Sequence, residues 1–213
     1  MLQAAQKEAI VARVAAVERA TGVQVVTAVV PRAHAWPEAV WAAFALAAAL
    51  AGLGVVLLEQ AWRAWPAAGI VLVAVAIVLG AGAASALLAI VLPAYARQFT
   101  GSAQRDAEVR RCARLVFHEH GLSHTRGRCG VLILVACFER RVEVVADRGF
   151  DGRIAPAEWN GVVSATAGAL QRDDAGAALL AGLDRLEALL LGHGFAGSGA
   201  NELPDAPLEI EVT

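Results

Sequence analysis

Charge is what large parts of this chain lack. No charged residue stands between Glu38 and Glu59, and none between Arg63 and Arg97. A helix of roughly 20 apolar residues crosses the hydrocarbon core of a bilayer. Both runs reach that length, and the polar break Glu59–Arg63 leaves room for a turn and little more. The pattern predicts a transmembrane helical hairpin over residues 39–92. Helices apolar on every side need lipid or a large core, and a 213-residue chain has too little other material to build such a core.

Other absences narrow the classes. The first fifteen residues lack the unbroken apolar stretch of a signal peptide, because Lys7, Glu8 and Arg13 interrupt it. Basic excess is missing: the net charge of −2 argues against nucleic acid as a partner. No G-x-S-x-G, phosphate-loop or dinucleotide-binding glycine pattern occurs, and no H-E-x-x-H. Nucleophilic serine or cysteine catalysis therefore has no support. The three cysteines, Cys112, Cys129 and Cys137, form no C-x-x-C pair. No internal repeat is present.

What is present sets an orientation. Arg19 and Arg32 precede the first run, and Arg97, Arg105, Arg110 and Arg111 follow the second, whereas the connecting turn carries only Arg63. Positive residues flanking membrane helices stay on the cytoplasmic side. Both termini are therefore expected in the cytoplasm, with the chain crossing the inner membrane twice and its thiols reduced. Trp36, Trp41, Trp62, Trp65 and Tyr95 sit near the ends of the runs, as interfacial aromatics do. Gly80-Ala81-Gly82 suits close helix packing. Between Arg97 and Arg128 seven arginines face three acids, a basic stretch suited to anionic headgroups.

The remainder reads as one ordinary domain interrupted by the hairpin. Residues 3–20 place Ile10, Val14 and Val17 on one helical face, closing at Gly22. VQVVTAVV, residues 23–30, is apolar on both faces, as a covered central strand is. Beyond the hairpin, Ser102 is a candidate cap for a helix running to about His120, with Val109, Cys112, Ala113, Val116 and His120 in line. VLILVAC at 131–137 is a second covered strand, and RVEVVA at 141–146 alternates in the manner of an edge strand. Pro156 and Glu158 open a helix. A leucine-rich helix to Leu191 follows, with Leu179, Leu183, Leu186 and Leu190 facing inward. PLEIEV in the tail is a candidate short strand.

Two strands joined through a helix imply a right-handed parallel crossover, with the third strand antiparallel. The fold class expected is α/β: a three-layer α/β/α sandwich with a small mixed sheet, interrupted by the membrane hairpin. Residues 1–38 supply the first helix and strand, 39–92 the hairpin, 93–196 the rest of the domain, and 197–213 an extended tail. In that topology the C-terminal ends of the two parallel strands point to the bilayer, and the loop after the third strand points into the cytosol.

That loop, Asp147-Arg148-Gly149-Phe150-Asp151, is the first candidate site. Two carboxylates around a glycine can ligate a hard cation such as Ca2+ or act as an acid/base pair. The structural alternative pairs Asp147 with Arg126 or Arg128 and leaves Gly149 to make a turn. HEHGLSH at 118–124 raises a transition-metal reading. His118 and His120 diverge on a helix, while His120 and His124 have the right separation with Gly121 between them. Asp173 and Asp174 read as a helix cap.

The helix and strand AAVERATGVQVVTAVV, the segment TRGRCGVLILVACFERRVEVVADRGFDGRI, the late helix ALLAGLDRLEALL and the closing ANELPD together resemble the TPM-domain family. The resemblance covers nearly the whole chain and is greatest to a bacterial membrane subgroup with two helices set inside the domain. It implies an α/β/α fold, and for some members acid-phosphatase activity and calcium binding, for others assembly or repair of membrane complexes. Where secreted relatives carry a glycine–aromatic–glycine turn, this chain has Asp147 to Asp151. The function expected is a membrane-tethered, non-catalytic module that binds a partner protein or a small ligand or cation at its cytosolic end. The alternatives are a divalent-metal-assisted phosphatase and a structural subunit of a membrane complex.

Overall fold

The computed structural model describes residues 2–61, 67–125, 127–172, 174–197 and 203–210. Trp62, Arg63, Trp65, Arg126 and Asp173, together with parts of the tail, lie outside them. Two compact units result: residues 1–35 with 105–213, and residues 36–104.

In the first unit, helix α1 (Ala4–Thr21) places Ile10, Val14 and Val17 in the core. It ends where Gly22 turns left-handed at φ +71° and donates its N–H to the Glu18 carbonyl. Strand β1 (Gln24–Val30) pairs in parallel with β2 (Gly130–Ala136), in register from Gln24↔Gly130 to Val30↔Ala136. A tight turn through Arg140, at φ +52°, returns the chain as the antiparallel edge strand β3 (Arg141–Ala146). The tail contributes β4 (Leu208–Glu209), parallel to β1. The sheet order is β3-β2-β1-β4, so the two fully buried strands are central.

Both faces of those strands are covered because their apolar side chains alternate between two cores. Val25, Val29, Val131, Ile133 and Val135 pack with α1, α6 (Pro156–Leu170) and α7 (Ala175–Gly192). Val26, Ala28, Val30, Leu132, Leu134 and Ala136 pack under α5 (Ser102–Glu119). The unit is thus a three-layer α/β/α sandwich with a mixed sheet. Leu179, Leu183, Leu186 and Leu190 are fully buried, each position adding about 1.5–3 kcal/mol of apolar burial. Asp174 caps α7 by accepting the Ala177 N–H at 2.9 Å, which is the capping role expected of it. Helix α5 ends at Glu119, one residue short of His120, which is exposed rather than part of the apolar line.

The second unit is an antiparallel helix pair, α2 (Pro37–Ala61) and α3 (Ala67–Val91), followed by the short α4 (Pro93–Ala96) and a 3-10 turn over Arg97–Phe99. Close approach is set by small residues: a Cβ on Gly82 would stand 2.7 Å from the Phe44 ring. Ser85 donates to the Ala43 carbonyl at 3.0 Å, and its hydroxyl lies 2.8 Å from that of Tyr95. Within Pro37–Gln60 and Val71–Val91 the mean hydropathy reaches 2.3 and 2.5, yet only 6% and 11% of those windows are buried. Core helices of a soluble protein would be mostly buried. Both are long and apolar enough to cross a membrane.

Candidate functional site

The site is built where β3 ends. The Asp147 N–H donates to the Gly130 carbonyl at 2.9 Å, extending the sheet by one bond, and the chain then tightens into a 3-10 turn over Arg148–Phe150. Gly149 is pressed against the neighbouring loop: its N–H donates to the Arg128 carbonyl at 2.9 Å. A Cβ at Gly149 would lie 2.5 Å from that oxygen and 2.8 Å from Cys129 Sγ. Only glycine allows this approach.

Behind the turn, Phe150 is buried and meets Trp159 edge-on at 5.4 Å and Phe195 at 5.2 Å. The Arg153 guanidinium covers the other ring of that cluster, 3.7 Å from the Phe195 centroid. The aromatic group fixes the loop between β3 and α6. The Ala155 N–H, donated to Glu158 Oε1 at 2.9 Å, then starts the helix.

Against this frame Asp147 is buried, at 7% exposure. Its Oδ1 accepts the Arg148 N–H at 2.8 Å. Its Oδ2 is shut away from solvent and, among the described residues, accepts no hydrogen bond. A buried polar atom left in that state costs roughly 1–3 kcal/mol, and more when charged. Asp147 borders a cleft of about 460 Å³ whose polar lining includes Glu143, Asp151, Arg110 and Asn160, with Trp159 on its apolar side. Three carboxylates against one guanidinium make the cleft acidic. Burial raises the Glu143 carboxyl above its ordinary range, opposed by Arg110 and Arg114 and reinforced by Asp106.

Of the two arginines considered as partners of Asp147, one can be placed. Arg128 is exposed and contributes its backbone carbonyl to Gly149, while Arg126 lies outside the described residues. Arg148 and Asp151 are exposed, and Gly149 is half-buried. His120 and His124 are exposed on either side of Gly121, and the Nδ1 of His124 lies 3.3 Å from Ser123 Oγ. Among the described residues no three His, Cys, Asp or Glu side chains converge as a metal cluster. A cation at the cleft would therefore need backbone or water oxygens beside Asp147 and Asp151.

The sequence alone did not assemble Glu143, Arg110, Trp159 and Asn160 with the loop. Glu143 carried one signal, an acid on the wetter face of the edge strand, but its neighbours come from α5 and α6.

Comparison with known proteins agrees with this architecture. Residues 94–189 match the TPM domain family. A search of curated protein sequences returned no match. The solution structure of the BA42 protein from the psychrophilic bacterium Bizionia argentinensis superposes with a TM-score of 0.59. It covers 99% of this chain and 96% of that one, at 14% identity, a likeness of fold. The match begins just after the apolar helix pair, yet α1 and β1, from before that pair, supply the central strand of the same sandwich. Over residues 94–189 the chain matches the TPM domain, and that stretch is similar to the TPM-domain family.

Proposed function

We propose that the chain is a membrane-tethered TPM module that binds a small ligand, a divalent cation or a partner protein at the Asp147 cleft. The observation that carries this reading is the buried Oδ2 of Asp147, without a hydrogen-bond partner among the described residues, at the border of an acidic cleft. An incoming cation or N–H donor would satisfy that oxygen and recover the cost of leaving it alone. Tethering is supported by two long apolar helices that keep most of their side chains exposed. The flanking arginines favour an inner-membrane location with both termini in the cytoplasm.

The test is isothermal calorimetry of calcium binding to the full chain in detergent, beside co-purification of partners from membranes. Replacing both Asp147 and Asp151 with Asn should abolish the calcium heat and weaken partner capture while leaving secondary structure intact. Calcium heat and capture unchanged by the double substitution would refute the assignment of the cleft.

A hydrolytic reading draws on one further observation, the elevated Glu143 carboxyl in the same cleft as Asp147 and Asp151. A carboxyl whose hold on its proton is strengthened by burial is suited to general acid chemistry. Metal-dependent hydrolysis of a phosphate ester by pure protein, lost in Asp147→Asn, would establish it; no turnover above buffer would remove it.

A further inference from the structure

Among the described residues, α5 is the α-helix that covers its face of the sheet, and its outer side has an uneven charge. Val109, Cys112, Ala113, Val116 and Phe117 turn inward. The opposite stripe carries Arg110, Arg111, Arg114 and His118 with Ala107 and Leu115, and these six line a shallow groove of about 370 Å³. By helical spacing no acid falls within that stripe. Glu108 and Glu119 lie at its flank, Asp106 is bound to Arg141 of β3, and Glu143 of β3 lies near Arg110 and Arg114 without forming an ion pair with them. Among the described residues, Arg110, Arg111 and Arg114 take part in no salt bridge. Leu115, 55% exposed, adds an apolar tip among the guanidiniums. Unpaired arginines beside an exposed leucine make the pattern of a helix that lies on an anionic interface.

We infer that the outer stripe of α5 docks on the anionic headgroups of a bilayer, with Arg110, Arg111 and Arg114 on the phosphates and Leu115 at the acyl boundary. The occupant is argued from charge complementarity, and from α5 beginning eleven residues after α3 ends. This rests on the reading of α2 and α3 as membrane-spanning. Arginine is suited to the contact because its planar fork binds phosphate oxygens in pairs. Each such residue close to an anionic surface multiplies the docking equilibrium roughly fivefold, so three give on the order of a hundredfold.

The test uses the full chain in lipid nanodiscs, with Cys129 and Cys137 changed to Ser and an environment-sensitive fluorophore on Ala107→Cys, at the N-terminal end of the stripe. A lipid bearing a nitroxide on its headgroup serves as quencher. Strong quenching is expected in discs containing phosphatidylglycerol, with loss in pure phosphatidylcholine and at high salt. Replacing Arg110, Arg111 and Arg114 together with Gln should remove it, with the helical circular dichroism unchanged because all three side chains are exposed. Quenching equal in neutral and anionic discs, or unaffected by the triple substitution, would overturn the proposal while leaving the tether intact. Failure of the chain to enter discs at all would overturn both. Absence of any lipid effect alongside capture of an acidic protein by the same arginines would assign the stripe to that other class of partner and refute the lipid assignment.

Discussion

Glu18 makes the stability of this fold depend on pH in a direction unusual for a carboxylate. The residue is 6% exposed on α1, and its Oε1 accepts the Val25 N–H at 2.8 Å. Burial raises its carboxyl from 4.5 to about 7, opposed by the Val25 bond and reinforced by Asp205 beside it. The protonated form can donate to Asp205, which belongs to the tail segment held on β1 through Leu203 N–H to Gln24 Oε1 at 3.2 Å. Because the folded state holds this proton more tightly than the unfolded chain, the contribution is full below about pH 4.5. It is lost as pH rises through about 7. A raise of that size corresponds to about 3 kcal/mol, at 1.36 kcal/mol for each pH unit. Glutamine is nearly the same shape, accepts from Val25 and donates to Asp205 at every pH. Thermal melts of wild type and Glu18→Gln in detergent between pH 5 and 8 are the assay. About 2.5 kcal/mol of this is lost between pH 5 and 8, so wild type should lose roughly 5–10 °C relative to the variant over that range, taking about 2–4 °C for each kcal/mol. Glu158 and Glu209 are lowered by their partners His193 and Lys7 and so weaken the fold only on the acid side of this window. Parallel melting curves for wild type and Glu18→Gln would refute the burial of a protonated Glu18.

Three further predictions follow from packing. Gly149→Ala should destabilise the domain by about 1–3 kcal/mol and disturb the Asp147 turn, because the atoms it meets are backbone; chemical denaturation measures it. Leu183→Ala, at a fully buried position between α7 and the sheet, should cost about 2–5 kcal/mol by the same assay. Arg13→Gln removes the ion pairs to Asp184 and Glu187, both at 2.6 Å, but should cost only about 0–1 kcal/mol because the site is partly solvated. A larger loss there would show that α1 depends on charge rather than on Ile10, Val14 and Val17.

Much of the architecture is written locally. VQVVTAVV and VLILVAC are apolar at consecutive positions, and only central strands covered on both faces bury such runs, so β1 and β2 were legible before any pairing was known. The uncharged runs announced α2 and α3, and Gly22 marked the end of α1. The brief α4 and the turn at Arg97–Phe99 gave no such sign, since four residues show no periodicity. The end of α5 was legible to within a residue, because Gly121, at φ +68°, stops the helix just after Glu119, although His120 does not join the apolar line. The cleft was legible only in part. The Asp147 loop could be picked out by its residue types. Arg110, Glu143 and Trp159 are distant in sequence and meet it only because β3 pairs with β2 and α5 and α6 lie close to that edge. Solvent exclusion at one oxygen of Asp147 is likewise a tertiary property, and no spacing encodes it.

The central claim is that Oδ2 of Asp147, without a partner among the described residues, is placed to receive a ligand, and ligand-linked melting of the full chain tests it most directly. Calcium and magnesium would be titrated separately into wild type and Asp147→Asn in detergent. Stabilisation of wild type approaching 2.7 kcal/mol at a hundredfold excess over the dissociation constant, absent in the variant, is the predicted result. Equal shifts in both proteins, together with partner capture unaffected by the substitution, would contradict the account and leave the Asp147 turn as architecture alone.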